Sequence, residues 1–300
     1  RIAGAITLAG KGERTRIDGQ LTANRISVLG LFGLLLDGEA QGTVAASSDG
    51  DETPSPWPDT PVSMALLDAV EGQITLRAPH ASLAEGLDLS DAELSIGLSP
   101  GRLNIAGLTG AALGGRFTAR GAIEAAPAGA NLSIEARMTG ARLAQLGGSR
   151  AANQRNLGEA NLSVVLSARA TSLRAAMSGL AGKGEIEVRN GRIEGLGAEL
   201  IERTALAAIE GGEGVTRAML QALIGTERAR SALPIGNRKL PLDVAEGVAK
   251  IGALEIGTPA ATLRNTTTVD LASLKADSEW RILPRRRLPG KSGTSRAPLP

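Results

Sequence analysis

Few residues in this chain are of the types that do chemistry. The only histidine is His80 and there is no cysteine, which excludes thiolate nucleophiles, disulfides, thiolate zinc sites and cages of imidazole ligands. A Ser-His-Asp triad would have to run through His80. That residue follows Pro79 between two short apolar stretches, has no carboxylate motif beside it, and reads as an ordinary loop or surface histidine. Gly290-Lys291-Ser292 carries the last letters of a phosphate loop without the glycine that should precede them. The glycines of the stretch from Gly179 to Gly184 are out of order for a dinucleotide fingerprint, and no Gly-x-Ser-x-Gly elbow is present. Asp and Glu are spread singly along the chain, so no carboxylate pair can be nominated for glycoside chemistry. The expectation is a protein that is not an enzyme and uses no metal or cofactor.

Charge and aromatic content narrow the partners. Thirty-three basic and 31 acidic residues give a net charge of +2. A nucleic-acid binder is expected to carry a basic stripe, with stacking rings where it takes single strands. No such stripe is visible, and the rings are only Phe32, Phe117, Trp57 and Trp280. One dense basic cluster, Arg285-Arg286-Arg287 with Lys291 and Arg296, lies in a Pro/Gly/Ser-rich tail and reads as a flexible segment at 284–300. No run of about 20 uncharged apolar residues exists to cross a bilayer as a helix. The chain opens on Arg1 rather than Met, and the expectation is a piece of a longer protein whose export signal or anchor lies upstream.

The elements that must position any site are strands. Period-two alternation puts successive side chains on opposite faces. From Asp91 to Leu98, residues Ala92, Leu94, Ile96 and Leu98 fall on one face and Asp91, Glu93 and Ser95 on the other. Ser99-Pro100-Gly101 then marks a turn, and Leu103 and Ile105 resume the pattern. Leu132, Ile134, Ala136 and Met138 alternate likewise, as do Ala160, Leu162, Val164, Leu166, Ala168 and Ala170. Short turns between such strands give an antiparallel meander, each strand with one wet face. Residues 1–36 form a smaller preceding β-groove section. A Pro/Gly/Ser-rich linker follows at 37–61, with Trp57 as a packing anchor at the start of the main unit, 62–283. Short helices are expected near 172–180 and 197–224, covering an end of the sheet.

A sheet with one apolar face must bury it. Closure into a sandwich, a cover of helices, or a trough reserved for something else all satisfy the alternation. With so few rings, the face is lined by small and medium aliphatics. It would be wide enough to curl around acyl chains, since an eight-residue strand spans roughly 26 Å. The alternation nominates as lining residues Ile74, Leu76, Leu94, Ile96, Leu103, Ile105, Phe117, Leu132, Ile134, Leu162, Val164, Leu166, Ile186 and Val188.

More specific patterns follow. The stretch from Leu180 to Gly195 leads an Ala/Ser-rich helical turn into a Gly-x-Gly strand and then a Gly-x-Ile-x-Gly turn. From Asp88 to Ile123 the order is an Asp-Ala-x-Leu strand, a Gly-x-Leu-x-Ile strand and a Gly-Gly-x-Phe strand. Trp57-Pro58 opens the unit, and residues 260–271 close it with Val-Asp-Leu. In this order and spacing the segments resemble the C-terminal region of the AsmA family.

The resemblance implies a mainly β fold: an extended, curved antiparallel sheet forming an apolar groove. It implies a periplasmic module, anchored to the bacterial inner membrane by a helix upstream of this chain. Such a module would carry phospholipid toward the outer membrane and support envelope integrity, and the family offers no catalytic residues to carry over. The alternative is a non-enzymatic scaffold that assists outer-membrane protein assembly through exposed strand edges, with envelope proteins as partners.

Overall fold

The computed structural model describes residues 2–11, 14–28, 30–31, 57, 59, 65–84, 87–127, 129–145, 157–194, 232–259 and 261–284. The expected helix at 197–224, most of the 37–61 linker and the basic tail lie outside these residues. The fold is mainly β. In chain order the elements are β1 (Ile2–Lys11), β2 (Arg14–Ala23), β3 (Arg25–Ser27), α1 (Ala65–Ala69), β4 (Val70–Ala84), β5 (Leu87–Ser99), β6 (Arg102–Ala112), β7 (Gly115–Ala126) and β8 (Gly129–Arg142). After a 3₁₀ turn come β9 (Glu159–Ala170), α2 (Leu173–Ser178), β10 (Ala181–Glu194), β11 (Ala232–Ala245), β12 (Val248–Gly257), β13 (Ala261–Asp270) and β14 (Lys275–Pro284).

These strands form one 14-stranded sheet, hydrogen-bonded in chain order from β1 to β14 except that β3 pairs only with β4. From β4 through β10 successive neighbours are antiparallel, as alternating strands separated by short turns require. One seam departs from the expected meander. Both β2 and β3 run parallel to β4, with Leu21 beside Leu76 and Ile26 beside Ala81. A parallel pair needs a crossover of a dozen or more residues. The connection between β3 and β4 is long enough, whereas the links from β4 to β8 are tight, each strand starting within three residues of the end of the one before.

Helix α2 is a single short element. The Ser172 hydroxyl caps its start by accepting the Ala175 N–H at 3.1 Å, and Gly179 ends it by donating its N–H to the Ala175 carbonyl. It falls within the 172–180 segment whose spacing is helical.

The described chain divides into two compact units, one of residues 1–191, 236–252 and 266–278, the other of 192–235, 253–265 and 279–300. In the first, a core built almost wholly of aliphatics runs along one face of the sheet. Leu67 of α1, Leu94 and Leu103 are fully buried there, joined by Leu76, Leu89, Ile96, Leu98, Leu108 and Ile123. The second has its own buried aliphatics, Leu233, Leu254, Ile256 and Leu263, and a tight turn at Thr258. There the Thr258 hydroxyl donates to the Ala261 carbonyl and accepts the Ala261 N–H, both at 3.1 Å.

Candidate functional site

The register determines which side chains share a face, because directly paired residues point the same way. One row crosses from Ile74 to Ile96, Ile105, Gly121, Ile134, Leu166 and Gly182. A second crosses from Leu76 to Leu94, Leu108, Ala119, Ala136, Val164 and Gly184. Leu103 pairs with Ile123 and Ile123 with Leu132, while Phe117 pairs with Met138, Met138 with Leu162 and Leu162 with Ile186. Val188 lies opposite Ala160. Every residue nominated by alternation therefore falls on a single face.

Burial divides that face. Leu76, Leu94, Ile96, Leu103, Val164 and Val188 are buried within the protein's own packing. Ile74, Ile105, Phe117, Leu132, Ile134, Leu162, Leu166 and Ile186 are only half-buried. From β7 to β10 the rows also become small, with Gly121, Ala119, Ala136, Gly182 and Gly184 set among the larger side chains. Gly184 cannot be otherwise, since a Cβ there would stand 2.5 Å from the Ser163 carbonyl oxygen. With no side chain at that point, Val164 of β9 joins Leu242 and Val244 of β11 in a second cluster, against which Leu162, Leu166 and Ile251 pack.

The face is larger than the nominated lining set: Leu98, on a strand whose alternation already places it inward, and Ile123 also lie on it and are buried. Leu108 is different: the pairing slips between Ile105 and Leu108, so the inward parity changes within β6. A second slip between Met138 and Ala141 does the same in β8, and it has a visible prop. The Asn161 side chain accepts the Gly140 N–H at 2.8 Å and donates to Glu187 at 2.9 Å. The face also continues to the β1 edge, where Ile6 pairs with Gly19 and Leu8 with Ile17. There Ile2, Ile6 and Leu8 are 72%, 55% and 66% exposed.

The opposite face is polar and stitched by ion pairs across strands. Arg77 meets Glu93 at 3.1 Å, Arg102 meets Glu124 at 2.9 Å, Lys239 meets Glu185 at 3.1 Å, and Glu135 is held between Arg120 and Arg137. The hydrogen bond from Arg120 holds the Glu135 carboxyl below the usual range. Glu187 is lowered by Asn161 first and then by Arg189, and Asp18 by Arg16. All three carboxylates face water, so these pairs order the surface more than they stabilise the fold. Two shallow depressions are lined mainly from this polar face, one of them by Arg102, Asn104, Arg120, Ser133 and Glu135 among others.

His80 sits in mid-strand on β4, exposed, between Arg25 and Ser90. Among the described residues no three of His, Cys, Asp and Glu come together as a metal site, and no helix is long and apolar enough to cross a membrane. The surface the strands build with most continuity is the apolar face, half-open from β7 to β10.

The sequence model of the AsmA family matches residues 7–254, well over half of the chain. No curated protein and no solved structure matches it.

Proposed function

The chain belongs to the AsmA family, and we propose from that premise that its apolar face binds the acyl chains of phospholipids and passes them along the sheet. Family membership itself carries a general envelope-associated, lipid-transport-like role. The finer reading is supported by one observation above all: a row of half-buried aliphatics, Leu132, Ile134, Leu162, Leu166 and Ile186, on one face of adjoining strands. Each methylene taken from water is worth about 0.8 kcal/mol, so a continuous apolar strip lowers most of the cost of moving a lipid through an aqueous space. The fully buried leucines of β4 to β6 hold the fold. On this reading the lipid meets the half-buried section. The setting proposed is the periplasm, with an inner-membrane anchor upstream of this chain and no cofactor or catalytic step.

The experiment is native mass spectrometry of purified protein with paired variants on β8. Ile134→Asp puts a carboxylate on the apolar face, while Ser133→Asp, the preceding residue, puts the same group on the exposed polar face. Bound phospholipid is expected in the wild type and in Ser133→Asp, and lost by at least tenfold in a folded Ile134→Asp protein, since an unpaired carboxylate is not tolerated among hydrocarbon. A wild type free of lipid, or equal lipid in both variants, overturns the proposal.

The β1 edge, which no other described strand pairs on its outer side, favours a second reading, a scaffold that accepts strands from envelope proteins. Between Ile2 and Gly10 it carries exposed Ile2, Ile6 and Leu8 and no charged residue. Crosslinking from β1 that recovers only protein, with no lipid on the wild type, would select it.

A further inference from the structure

We propose that the turn between β6 and β7, with Arg142 and Gln145 lying over it and Arg116 beside it, binds a phosphate group. Leu113 and Gly114 make this two-residue hairpin, both in the left-handed region at φ 51° and 72°. The end of β8 is fixed against it, because the Arg142 N–H donates to the Leu113 carbonyl at 2.8 Å. From there two side-chain donors converge on one spot. The place that a Cβ on Gly114 would take is 3.1 Å from Nε2 of Gln145 and 3.3 Å from Nε of Arg142. Gly114 leaves that spot bare, and Gly114, Arg116, Arg142 and Gln145 are all exposed.

Apart from the turn itself, the atoms nearest that spot are these two nitrogens and Cδ of Arg142, with no acceptor among them. A guanidinium donates from five N–H groups and accepts nothing, so the arrangement calls for an acceptor from outside. Arg77, Arg102, Arg120 and Lys239 on the polar face are each held by a glutamate. Among the described residues neither Arg116 nor Arg142 is paired in this way. Glu159 is the direct strand partner of Arg142, yet the Arg142 side chain lies over Gly114 and makes no ion pair with it. A phosphate fits the gap: its oxygens accept from several donors at once, and arginine matches its geometry. Phe117, on the half-buried part of the apolar face, is three residues from Gly114, roughly 10 Å along β7. The headgroup of a lipid on that face is therefore one source of the phosphate, and free phosphate is the other. The site uses none of the strip residues on β8 to β10, so each proposal can fail without the other.

The test is calorimetric titration of the full chain with inorganic phosphate and, separately, with monomeric short-chain phosphatidylglycerol. Saturable binding is expected, weakening as salt rises. Arg142→Gln is expected to weaken it about tenfold, the worth of one exposed charge-assisted contact, and Arg116→Gln with Arg142→Gln to abolish it. Arg77→Gln removes a cation of the same face that Glu93 already holds and is expected to change nothing. The replaced side chains are exposed, and unchanged melting temperatures verify that the variants fold. Ile134→Asp separates the sources. If the phosphate belongs to a headgroup, the lipid binds more tightly than inorganic phosphate and Ile134→Asp weakens it. If it is free, inorganic phosphate binds at least as tightly as the lipid and Ile134→Asp leaves it unchanged. Dependence on Arg142 supports the site in either case. A wild type that binds neither probe, binding that survives the double variant, or an equal loss with Arg77→Gln overturns the proposal. Lipid binding that falls with Ile134→Asp but not with Arg142→Gln also overturns it, while leaving the acyl-chain strip standing.

Discussion

The indole N–H of Trp57 donates to the carbonyl of Leu271 at 2.7 Å, across 214 positions of sequence. Two residues on, the Asp59 carboxylate accepts from the Ser172 hydroxyl at 2.8 Å. Ser172 is itself buried and is the cap of α2, so a short piece of the linker is pinned both to the turn after β13 and to the start of α2. Trp57→Phe keeps most of the ring but removes the N–H. It is expected to lower stability by about 1–2 kcal/mol, the cost of a lost bond and a stranded carbonyl, read as a lower urea midpoint at unchanged slope. An unchanged midpoint would mean that water replaces the bond. That Trp57 anchors the main unit could be read from Trp57-Pro58 at its head. Its partner could not, because a backbone carbonyl leaves no mark on the sequence.

At the scale of elements, alternation carried the reading where strands are regular. Ala92, Leu94, Ile96 and Leu98 all point inward and are at most 6% exposed. It broke down where the ladder slips. A bulge adds a residue without changing composition, so Leu108 and Ala141 exchange parity with nothing in the local pattern to announce it. The parallel seam of β2 with β4 was illegible for another reason: a long connection permits either direction, and only the pairing itself decides. Turns are more demanding. Gly247 between β11 and β12 has φ +70°, and a Cβ there would lie 2.4 Å from the Met177 carbonyl oxygen. Its N–H reaches the Leu180 carbonyl at 3.0 Å and its carbonyl receives the Leu271 N–H at 2.9 Å. Gly247→Ala is expected to cost about 2 kcal/mol or more, from strained backbone and a forced shift of α2. Thermal unfolding checks this, and a melting temperature equal to wild type would contradict it.

Over the whole molecule, opposite charges are arranged strand by strand, and their sum has a pH signature. Glu135, Glu187, Asp18 and Glu279 are all held below the usual range, chiefly by hydrogen bonds from Arg120, Asn161, Arg16 and Arg281 respectively. In the unfolded chain they return to ordinary values, about 3.9 for Asp and 4.3 for Glu. Below neutral pH the unfolded state therefore binds protons first. The contribution of these groups is complete above about pH 5 and is lost as the pH falls through the folded values. The melting temperature is expected to be flat from neutral to mildly acid pH and then to drop, with high salt flattening the drop. A rise on acidification would contradict it. The apolar face was legible at this scale because its periodicity is simple. What fills its buried half was not, since alternation records that a face must be covered and says nothing of what covers it.

The bond between Trp57 and Leu271 also sets a schedule. Synthesis proceeds from the N-terminus, and the hairpins from β4 to β8 can close as soon as their second strands emerge. The indole N–H donates to an acceptor far along the chain instead. It is made early and must wait through more than two hundred further residues before its acceptor exists. Until then the bond that ties the head of the main unit to the turn after β13 cannot form. It is therefore a late event in the life of each molecule, and a chain interrupted before β13 is complete would lack it.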